Sequence, residues 1–125
     1  MWGKRAKVRP NDTLFSRYIR TKANWECEYC HKDFSDRKQY LQVSHYWGSG
    51  RESTRFDEDN VVALCSYHHK LLGHGDGRDE YREFMIKKLG QAGYDSLEVK
   101  AHTYKKRDDF KVSLELKYMI EVSER

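Results

Sequence analysis

Two pairs of metal-ligand residues constrain this chain more than any other feature of its sequence. The first pair is Cys27-x2-Cys30, the second is Cys65-x2-His68, and together they use all three cysteines. A two-residue spacing places two donor side chains on one side of a tight turn, and Cys3His is a common closed tetrahedral zinc set. The spacing therefore predicts one structural Zn²⁺ that ties the two segments together.

Alternatives to this ligand set remain open at the level of sequence. His31 or His69 has a spacing that also suits the fourth ligand position. Buried free thiols or a redox-active cysteine pair would give the same first motif, although no βαβ pattern follows it. An odd number of cysteines argues against a disulfide framework. A structural metal would also stabilise a chain in which 35% of residues are charged and the core is thin.

The length of 125 residues predicts a single domain, and the hydrophobic pattern predicts an α+β fold. Residues 40–47 and 60–64 are short apolar runs typical of strands, and amphipathic helical patterns flank them. We expect a flexible basic arm over residues 1–12, one domain over residues 13–107 with its motif core at 27–71, and a C-terminal segment over residues 108–125.

The C-terminal segment has an ambiguous pattern. Between Phe110 and Val122, apolar and polar residues alternate strictly except at Met119. A period of two favours a strand, whereas the content of Glu, Lys, Leu and Met favours a helix. The pattern alone does not decide between them.

Positive charge is concentrated in the first half of the sequence. Residues 1–55 contain 12 Lys and Arg against 6 Asp and Glu, whereas residues 56–125 contain 12 against 14. A basic half suits a polyanion such as DNA, but an excess of this size does not decide the matter. The candidate phosphate contacts are Arg51, Arg55, Lys70, Lys4, Arg5, Lys7 and Arg9.

The sequence also indicates in which cellular compartment the protein is expected. No apolar run approaches the roughly 20 residues that span a bilayer, so we expect no membrane segment. The first ten residues contain no apolar stretch of the kind found in secretory signals. A cytoplasmic location is therefore the expectation.

Three residues lie between and after the cysteines in positions that suggest chemistry. His45 ends the first predicted strand, Asn60 opens the second, and His69 follows His68 on a predicted helix. Adjacent helical residues point about 100° apart. One helix can therefore direct His68 at the zinc and His69 into a neighbouring cleft.

The order and spacing of these residues resembles the HNH endonucleases. The matching motif is Cys27-x2-Cys30, Ser44-His45, and Asn60-Val61-Val62-Ala63-Leu64-Cys65-x2-His68-His69-x-Leu71, within residues 27–71. The resemblance implies a small zinc-stabilised ββα-metal core with flanking helices. It also implies that Asn60 holds the loop that orients His45, and that the products carry 5′-phosphate and 3′-hydroxyl ends.

A narrower resemblance, over roughly residues 13–107, is to the phage NinG family with its Rap member. The similar segments are Ser44-His45-Tyr46-Trp47-Gly48, Ser53-Thr54-Arg55-Phe56-Asp57, Tyr81-Arg82-Glu83-Phe84 and Lys88-Leu89-Gly90. This resemblance implies nicking or resolution of branched DNA in phage recombination, inside a bacterial host cell. It also implies a helical C-terminal region.

Phosphodiester hydrolysis needs a base for the attacking water and charge relief at the phosphate. A neutral imidazole accepts a proton near cellular pH, and we assign this role to His45. A bound Mg²⁺ or Mn²⁺ would polarise the phosphate, and we assign its protein contact to His69. The expected function is metal-dependent DNA endonuclease activity.

One position departs from the HNH pattern. Many HNH enzymes carry a strong metal ligand just before the base histidine, and here that position is Ser44, a weak ligand for a hard cation. Asp57 or Asp59 would be an alternative ligand. If the cation site is lost, the chain is instead a zinc-stapled DNA-binding module without cleavage activity, or an interaction domain that uses zinc only for folding.

Two further properties follow from the same reasoning. His74 and His102 lack motif support, so we expect them to be structural or exposed. The oligomeric state stays open, with a homodimer as one alternative, because symmetric cleavage of two strands needs two active sites.

Overall fold

A computed structural model describes residues 7–125 as a mixed α and β fold, which confirms the predicted class. The strands and helices, in chain order, are α1 (Pro10–Lys22), β1 (Leu41–His45), α2 (Glu52–Arg55), β2 (Val61–Cys65), α3 (Ser66–His68), α4 (Arg78–Ala101) and α5 (Asp109–Ser123). α3 continues into a π-helical turn, His69–Gly73, and short 3-10 turns occupy Lys38–Tyr40 and Glu58–Asn60. Lys4 and Arg5 lie outside the described residues.

α1 begins earlier than the sequence pattern predicts. Pro10 occupies the first helical position, where its missing N–H has no cost, and the Asp12 carboxylate accepts a 2.7 Å hydrogen bond from the backbone N–H of Arg9. Helical structure therefore begins at residue 10, within the segment predicted to be a flexible arm. Phe15, Tyr18 and Ile19 lie on the buried face of this helix.

The two strands form an antiparallel pair in which Leu41 lies opposite Cys65 and His45 lies opposite Val61. All five residues of β2 are buried, because this strand is covered on both faces. The sheet thus places the predicted base histidine at one end and a predicted zinc ligand at the other.

The two faces of β1 contact different helices. The Ser44 hydroxyl accepts a 2.8 Å hydrogen bond from the Tyr81 hydroxyl of α4, and it lies close to Gly73 of the π-helical turn. The His45 ring lies 6.3 Å from the Phe15 ring of α1, measured between centroids. Successive strand residues point to opposite faces, so α1 packs on the His45 side and α4 on the Ser44 side.

α4 consists of two helical segments joined at Gly90. The backbone there has φ 78° and ψ 161°, a conformation open almost only to glycine. Gly90 thus breaks the helix, and helical structure resumes directly after it. No helix within residues 7–125 is both long enough and apolar enough to cross a membrane.

The ambiguous C-terminal segment is a helix, which excludes the strand alternative. α5 packs against α1, where Leu116 is only 2% exposed. Its first turn is fixed to the start of α1, because the Asn11 side-chain amide donates a 2.9 Å hydrogen bond to the carbonyl of Asp109. The first and last helices of the described chain are therefore neighbours.

Arg55 has a structural role that corrects its prediction as a DNA contact. Its guanidinium is buried and forms a bidentate ion pair with Asp12, and it also donates to the carbonyls of Ser49 and Lys7. Burial opposes ionisation of Asp12, but hydrogen bonds from Arg55 and the Arg9 backbone outweigh it and lower the pKa of this carboxyl. With these partners in place, Arg55 does not face solvent.

Arg9 likewise belongs to the interior. It is 8% exposed and pairs with Glu52 at 2.7 Å and with Asp109 at 3.1 Å. This residue was predicted to be part of a flexible arm that reaches DNA. The ion pairs instead anchor it between α2 and α5, because a buried guanidinium needs carboxylate partners.

Candidate metal centre and histidine sites

Four side chains converge at one end of the sheet. The ligand atoms of Cys27, Cys30, Cys65 and His68 all lie within 4.8 Å of one another. Cys27 and Cys65 are buried, and the other two are partly exposed. This is the cluster that the two sequence motifs predict, and it forms a possible metal site.

The distances at His68 fit tetrahedral coordination through Nδ1. This nitrogen lies 3.2 Å from the Cys65 sulfur and 4.0 Å from the Cys27 sulfur. In a tetrahedral site with bonds of ~2.3 Å to sulfur and ~2.0 Å to nitrogen, such atoms are roughly 3.6 Å apart. The donor set and its spacing therefore suit a zinc ion. His31 is exposed and His69 has other neighbours, so His68 is the fourth member.

The first cysteine pair lies on a turn that is bonded to the free edge of β2. The backbone N–H of Cys30 points at the Cys27 sulfur, 3.5 Å away, and His31 then adopts a left-handed conformation with φ 63°. The Glu28 backbone N–H donates to the Ala63 carbonyl, and its carboxylate accepts from the Ala63 N–H. These bonds hold the turn in place beside Cys65.

The cysteines differ in how easily they ionise. Burial opposes the Cys27 thiolate, but backbone N–H groups of Cys30, Cys65 and Tyr29 directed at its sulfur outweigh this and lower the pKa of Cys27. Burial, together with the neighbouring sulfurs, raises the pKa of Cys65. A bound cation would compensate the charge of adjacent thiolates.

His45 is held in one tautomer by a backbone group. Its Nε2 atom lies 2.9 Å from the carbonyl oxygen of Arg55. A carbonyl only accepts hydrogen bonds, so Nε2 carries the proton and Nδ1 keeps the lone pair. Burial lowers the pKa of His45 below 6.5, partly offset by the hydrogen bond to Arg55. The imidazole is therefore neutral at pH 7.

Asn60 holds together the loop that follows β1. Its side chain is fully buried, accepts from the Trp47 N–H at 2.9 Å, and donates to the carbonyls of Trp47 and Thr54. The Tyr46 N–H also donates to the Asn60 backbone carbonyl. This residue thus fixes the loop on one side of His45 and the short helix α2 on the other.

His69 lies beside His74, a residue that sequence reasoning assigned no role. The two rings stack with centroids 4.9 Å apart, and their Nε2 atoms are 3.0 Å apart. A π-helical turn bonds residues five apart, so it brings positions 69 and 74 to one side. An ordinary α-helix would pair positions four apart, which explains why the sequence pattern missed this neighbour.

The glycines around His74 are a sign, visible in the sequence, of the tight turn that follows the π-helical segment. A Cβ atom at Gly77 would lie 2.7 Å from the Leu71 carbonyl oxygen, and one at Gly75 would lie 3.0 Å from it. The turn therefore folds tightly against the π-helical segment. Such close approach needs glycine, because a side chain at either position would clash with the Leu71 carbonyl.

The other predicted cation ligands have different neighbours. The Ser44 hydroxyl is 2% exposed and bonded to Tyr81, so a metal would have to displace that bond. Asp57 accepts a 2.6 Å hydrogen bond from Lys100. Asp57 and Asp59 line an open cleft of about 560 Å³ between α2, the end of α4 and α5, and neither His45 nor His69 lines it.

Three predicted catalytic residues thus form two groups. His45 and Asn60 are joined through the loop between β1 and β2, whereas His69 is joined to His74 on the helical segment after β2. His45 contacts Arg55 and Phe15, and His69 contacts His74.

Basic residues remain at the surface after the two buried arginines are removed from the candidate interface. Lys7 and Lys70 are exposed. Arg51 is also exposed, but it donates to the Ala101 carbonyl at 3.1 Å and lies over the Trp47 ring.

No protein-family model, curated protein or solved structure matches the chain.

Proposed function

We propose that this chain is a metal-dependent DNA endonuclease of the HNH type, with a structural zinc in its Cys3His cluster. The observation that carries the proposal is the tautomer of His45, whose protonated Nε2 is bonded to Arg55 and whose Nδ1 is a proton acceptor. A purely structural zinc domain has no need for such a fixed neutral imidazole. The order of motifs resembling HNH enzymes supports the same conclusion.

His45 acts as the general base in this proposal. Its Nδ1 lone pair takes a proton from the water that attacks the phosphodiester, and the Arg55 carbonyl stabilises the resulting imidazolium through Nε2–H. The buried amide of Asn60 keeps the flanking loop from moving. The base therefore needs little reorganisation during the reaction, which lowers the barrier.

The catalytic cation has a candidate site at His69 and His74. Two donors about 90° apart on a metal, with bonds of ~2.1 Å, are separated by roughly 3.0 Å, as the two Nε2 atoms are here. When bound, a divalent ion supplies charge relief at the phosphate and the leaving oxygen. Imidazole is a softer donor than carboxylate, so this pair suits a transition-metal ion such as Mn²⁺ better than Mg²⁺.

DNA is bound through its phosphates in this proposal. Lys7, Lys70 and Arg51 are the exposed candidates, with Lys4 and Arg5 outside the described residues. Contacts of this kind carry no sequence information and weaken with salt. The resemblance to the NinG family favours branched recombination intermediates, in the cytoplasm of a bacterial host cell, as the substrate.

A second candidate function is DNA binding without cleavage. One observation favours it: the position before His45 is a serine whose hydroxyl is buried and bonded to Tyr81 rather than open to a cation. In this alternative the zinc cluster only stabilises a DNA-binding surface. Its consequence is a protein that shifts DNA mobility but leaves the strands intact with every cation.

A cleavage assay separates the two candidates. Supercoiled plasmid and a four-way junction are incubated with the zinc-loaded protein in Mg²⁺, Mn²⁺ or EDTA. We expect cleavage that depends on the added cation, and a loss of about 100-fold or more in His45→Ala, the size typical of a general base. His102→Ala is the matched control, because His102 is exposed, its side chain is hydrogen-bonded to its own helix end, and its one ring contact is the edge of Trp47 rather than His45.

Zinc content and circular dichroism of the variants make the result interpretable. Both should stay at wild-type values in His45→Ala, since the side chain is not a zinc ligand. Equal cleavage by this variant and wild type rejects His45 as the base. DNA binding without cleavage by wild type in every cation rejects the endonuclease and supports the second candidate.

A further inference from the structure

A small cavity lies beside the Cys3His cluster, at the end of the sheet opposite His45. It has a volume of about 250 Å³, and Cys30, Cys65 and His68 of the cluster form one wall. Cys27, the most deeply buried member of the cluster, does not line it. The cavity, here called the tyrosine pocket, therefore extends outward from the cluster. Its other lining residues are Lys32, Phe34, Arg37, Tyr40, Ser66 and Tyr67.

Two exposed tyrosines form the rim of the tyrosine pocket. Tyr40 is 50% exposed and Tyr67 is 63% exposed. They lie on the two chain segments that meet at this end of the sheet, where Leu41 pairs with Cys65 and the Ser66 hydroxyl donates a 3.3 Å hydrogen bond to the Tyr40 carbonyl. Both rings therefore border the same opening.

The Tyr67 ring is held in place by the zinc-ligand histidine. It stacks on the His68 ring with centroids 5.0 Å apart and an angle of 18° between the planes. The Tyr29 ring contacts His68 as well, at 4.9 Å and nearly edge-on. A metal ion on His68 would fix this stack further. An aromatic ring that is already ordered binds another flat ring at a low cost in conformational entropy.

The charged groups of the tyrosine pocket are both positive. They are Lys32 and Arg37, and no carboxylate within residues 7–125 lines the pocket. Lys32 belongs to no ion pair in this part of the chain. Arg37 lies over the Phe34 ring at 4.9 Å, and its ion pair with Asp36 is exposed and 3.5 Å long. Such an exposed pair is weak, so the pocket favours an anionic ligand.

We propose that the tyrosine pocket holds one unpaired base of single-stranded DNA, stacked on Tyr67, with the phosphates of that strand beside Lys32 and Arg37. A nucleotide is a flat ring joined to an anion, and exposed aromatic rings next to basic side chains bind this combination. Pockets for drug-sized ligands measure ~300–1,000 Å³, so the smaller tyrosine pocket suits a single base.

The choice of DNA as the ligand rests on the proposed function, but binding in the pocket does not require cleavage. Duplex DNA keeps its bases stacked inside, so it can reach the two cations but not the tyrosine rings. Branched DNA offers unpaired bases where its strands separate. The pocket would hold such a base about 13 Å from His45, which is the length of β1 at ~3.3 Å per residue.

Fluorescence anisotropy tests the base contact. The zinc-loaded protein is titrated into a labelled single strand of mixed sequence, and into the same strand annealed to its complement, without added Mg²⁺ or Mn²⁺. We expect Tyr67→Ala to weaken single-strand binding by about 10-fold and duplex binding by less than about 2-fold, because only the unpaired base stacks. Tyr67→Phe keeps the ring and should bind like wild type.

Tyr118→Ala is the matched control, because Tyr118 is also 63% exposed but lies on α5, away from the pocket. It should bind both forms of DNA as wild type does. Zinc content and circular dichroism should be unchanged in every variant, since none of these tyrosines is a zinc ligand.

A salt titration tests the phosphate contact. Each phosphate contact to a single strand contributes about 0.7 to the slope of log affinity against log salt concentration. Lys32→Ala should reduce the slope by roughly this amount. Lys106→Ala should leave it unchanged, because this exposed lysine lies between α4 and α5 and does not line the pocket.

Three results would overturn the pocket. They are wild-type single-strand affinity in Tyr67→Ala, equal losses for the single strand and the duplex in that variant, and displacement of the single strand by an equal concentration of a polyglutamate peptide. The last result would assign the pocket to acidic peptides.

The failure of the pocket can be distinguished from the failure of the nuclease. A protein that binds single strands through Tyr67 but cuts no DNA would keep the pocket and reject the endonuclease. A protein that cuts DNA, and whose Tyr67→Ala variant binds single strands normally, would keep the endonuclease and reject the pocket.

Discussion

At the scale of single residues, some parts of the candidate site can be predicted from the sequence and others cannot. The Cys3His cluster follows from spacing alone, because two residues between ligands fix their geometry locally. Arg9 and Arg55 were misassigned to DNA binding because their carboxylate partners are distant in sequence: Asp12 lies 43 positions from Arg55 and Asp109 lies 100 positions from Arg9. A basic residue reveals its charge in a sequence, whereas its burial depends on tertiary partners.

The surroundings of His45 predict how the cleavage rate depends on pH. In the proposed reaction the base acts in its neutral form, and burial lowers the pKa of His45 below its ordinary value of 6.5. The rate should therefore stay high as the pH falls to 6.5 and should decline only when the pH passes through the lowered pKa. The measurement is the initial rate of plasmid cleavage between pH 5 and 8 at saturating Mn²⁺.

The control is His102→Ala, whose cleavage rate should decline over the same acidic pH range as that of wild type. If the wild-type cleavage rate were already half lost above pH 6.5, the assignment would be contradicted, since burial keeps the imidazole of His45 unprotonated at that pH.

At the scale of elements, periodicity identified the strands, left the C-terminal segment undecided and gave no sign of the π-helical turn. β1 and β2 agree with the predicted runs to within about a residue at most ends. In α5 the period of two reflects a helix with two apolar sides, and packing against α1 decided its conformation. In His69–Gly73 the backbone is π-helical, and hydrophobic periodicity did not indicate this, although the glycines that follow are a sign of the tight turn.

The π-helical turn makes a prediction about cation affinity. Since it brings the Nε2 atoms of His69 and His74 within 3.0 Å, both should contribute to one cation site. We expect His74→Ala to weaken Mn²⁺ binding by roughly 10-fold or more, comparable to His69→Ala, as loss of one ligand costs about 1.4 kcal/mol or more. Electron paramagnetic resonance of free Mn²⁺, in titrations of the zinc-loaded protein, measures this directly.

His31→Ala is the control for the titration, because His31 is exposed and lies outside the histidine pair. An unchanged Mn²⁺ affinity in His74→Ala would show that the two rings form only a hydrogen-bonded pair. In that case His69 would need another partner for the cation.

At the scale of the whole molecule, a metal ion held by the Cys3His cluster would compensate for a small core. Within residues 7–125 the sheet consists of two strands, and such a sheet is not independently stable without packing partners. The metal site connects the turn at Cys27 to the start of α3, so it joins the two edges of the structure around β2. Removing the ion should therefore affect the whole fold rather than one loop.

We expect one zinc per chain by elemental analysis, and loss of cooperative unfolding when a strong chelator removes it. Structural zinc supplies ~10–16 kcal/mol in small domains, which matches or exceeds the usual net stability of ~5–15 kcal/mol. Cys27→Ser should show the same loss without chelator, while His31→Ala should melt like wild type. Full helical signal and an unchanged melting temperature in the chelated protein would contradict a structural metal.

The contact between α1 and α5 has a consequence for the timing of synthesis. The buried side of α1 is completed by a helix that begins about 90 residues later, and Asp109 provides a partner for both Arg9 and Asn11. While α5 is still inside the ribosome, part of the apolar surface of α1 is exposed to water. A nascent chain that stops before α5 therefore leaves the buried side of α1 incomplete, because the helix that completes it has not yet been made.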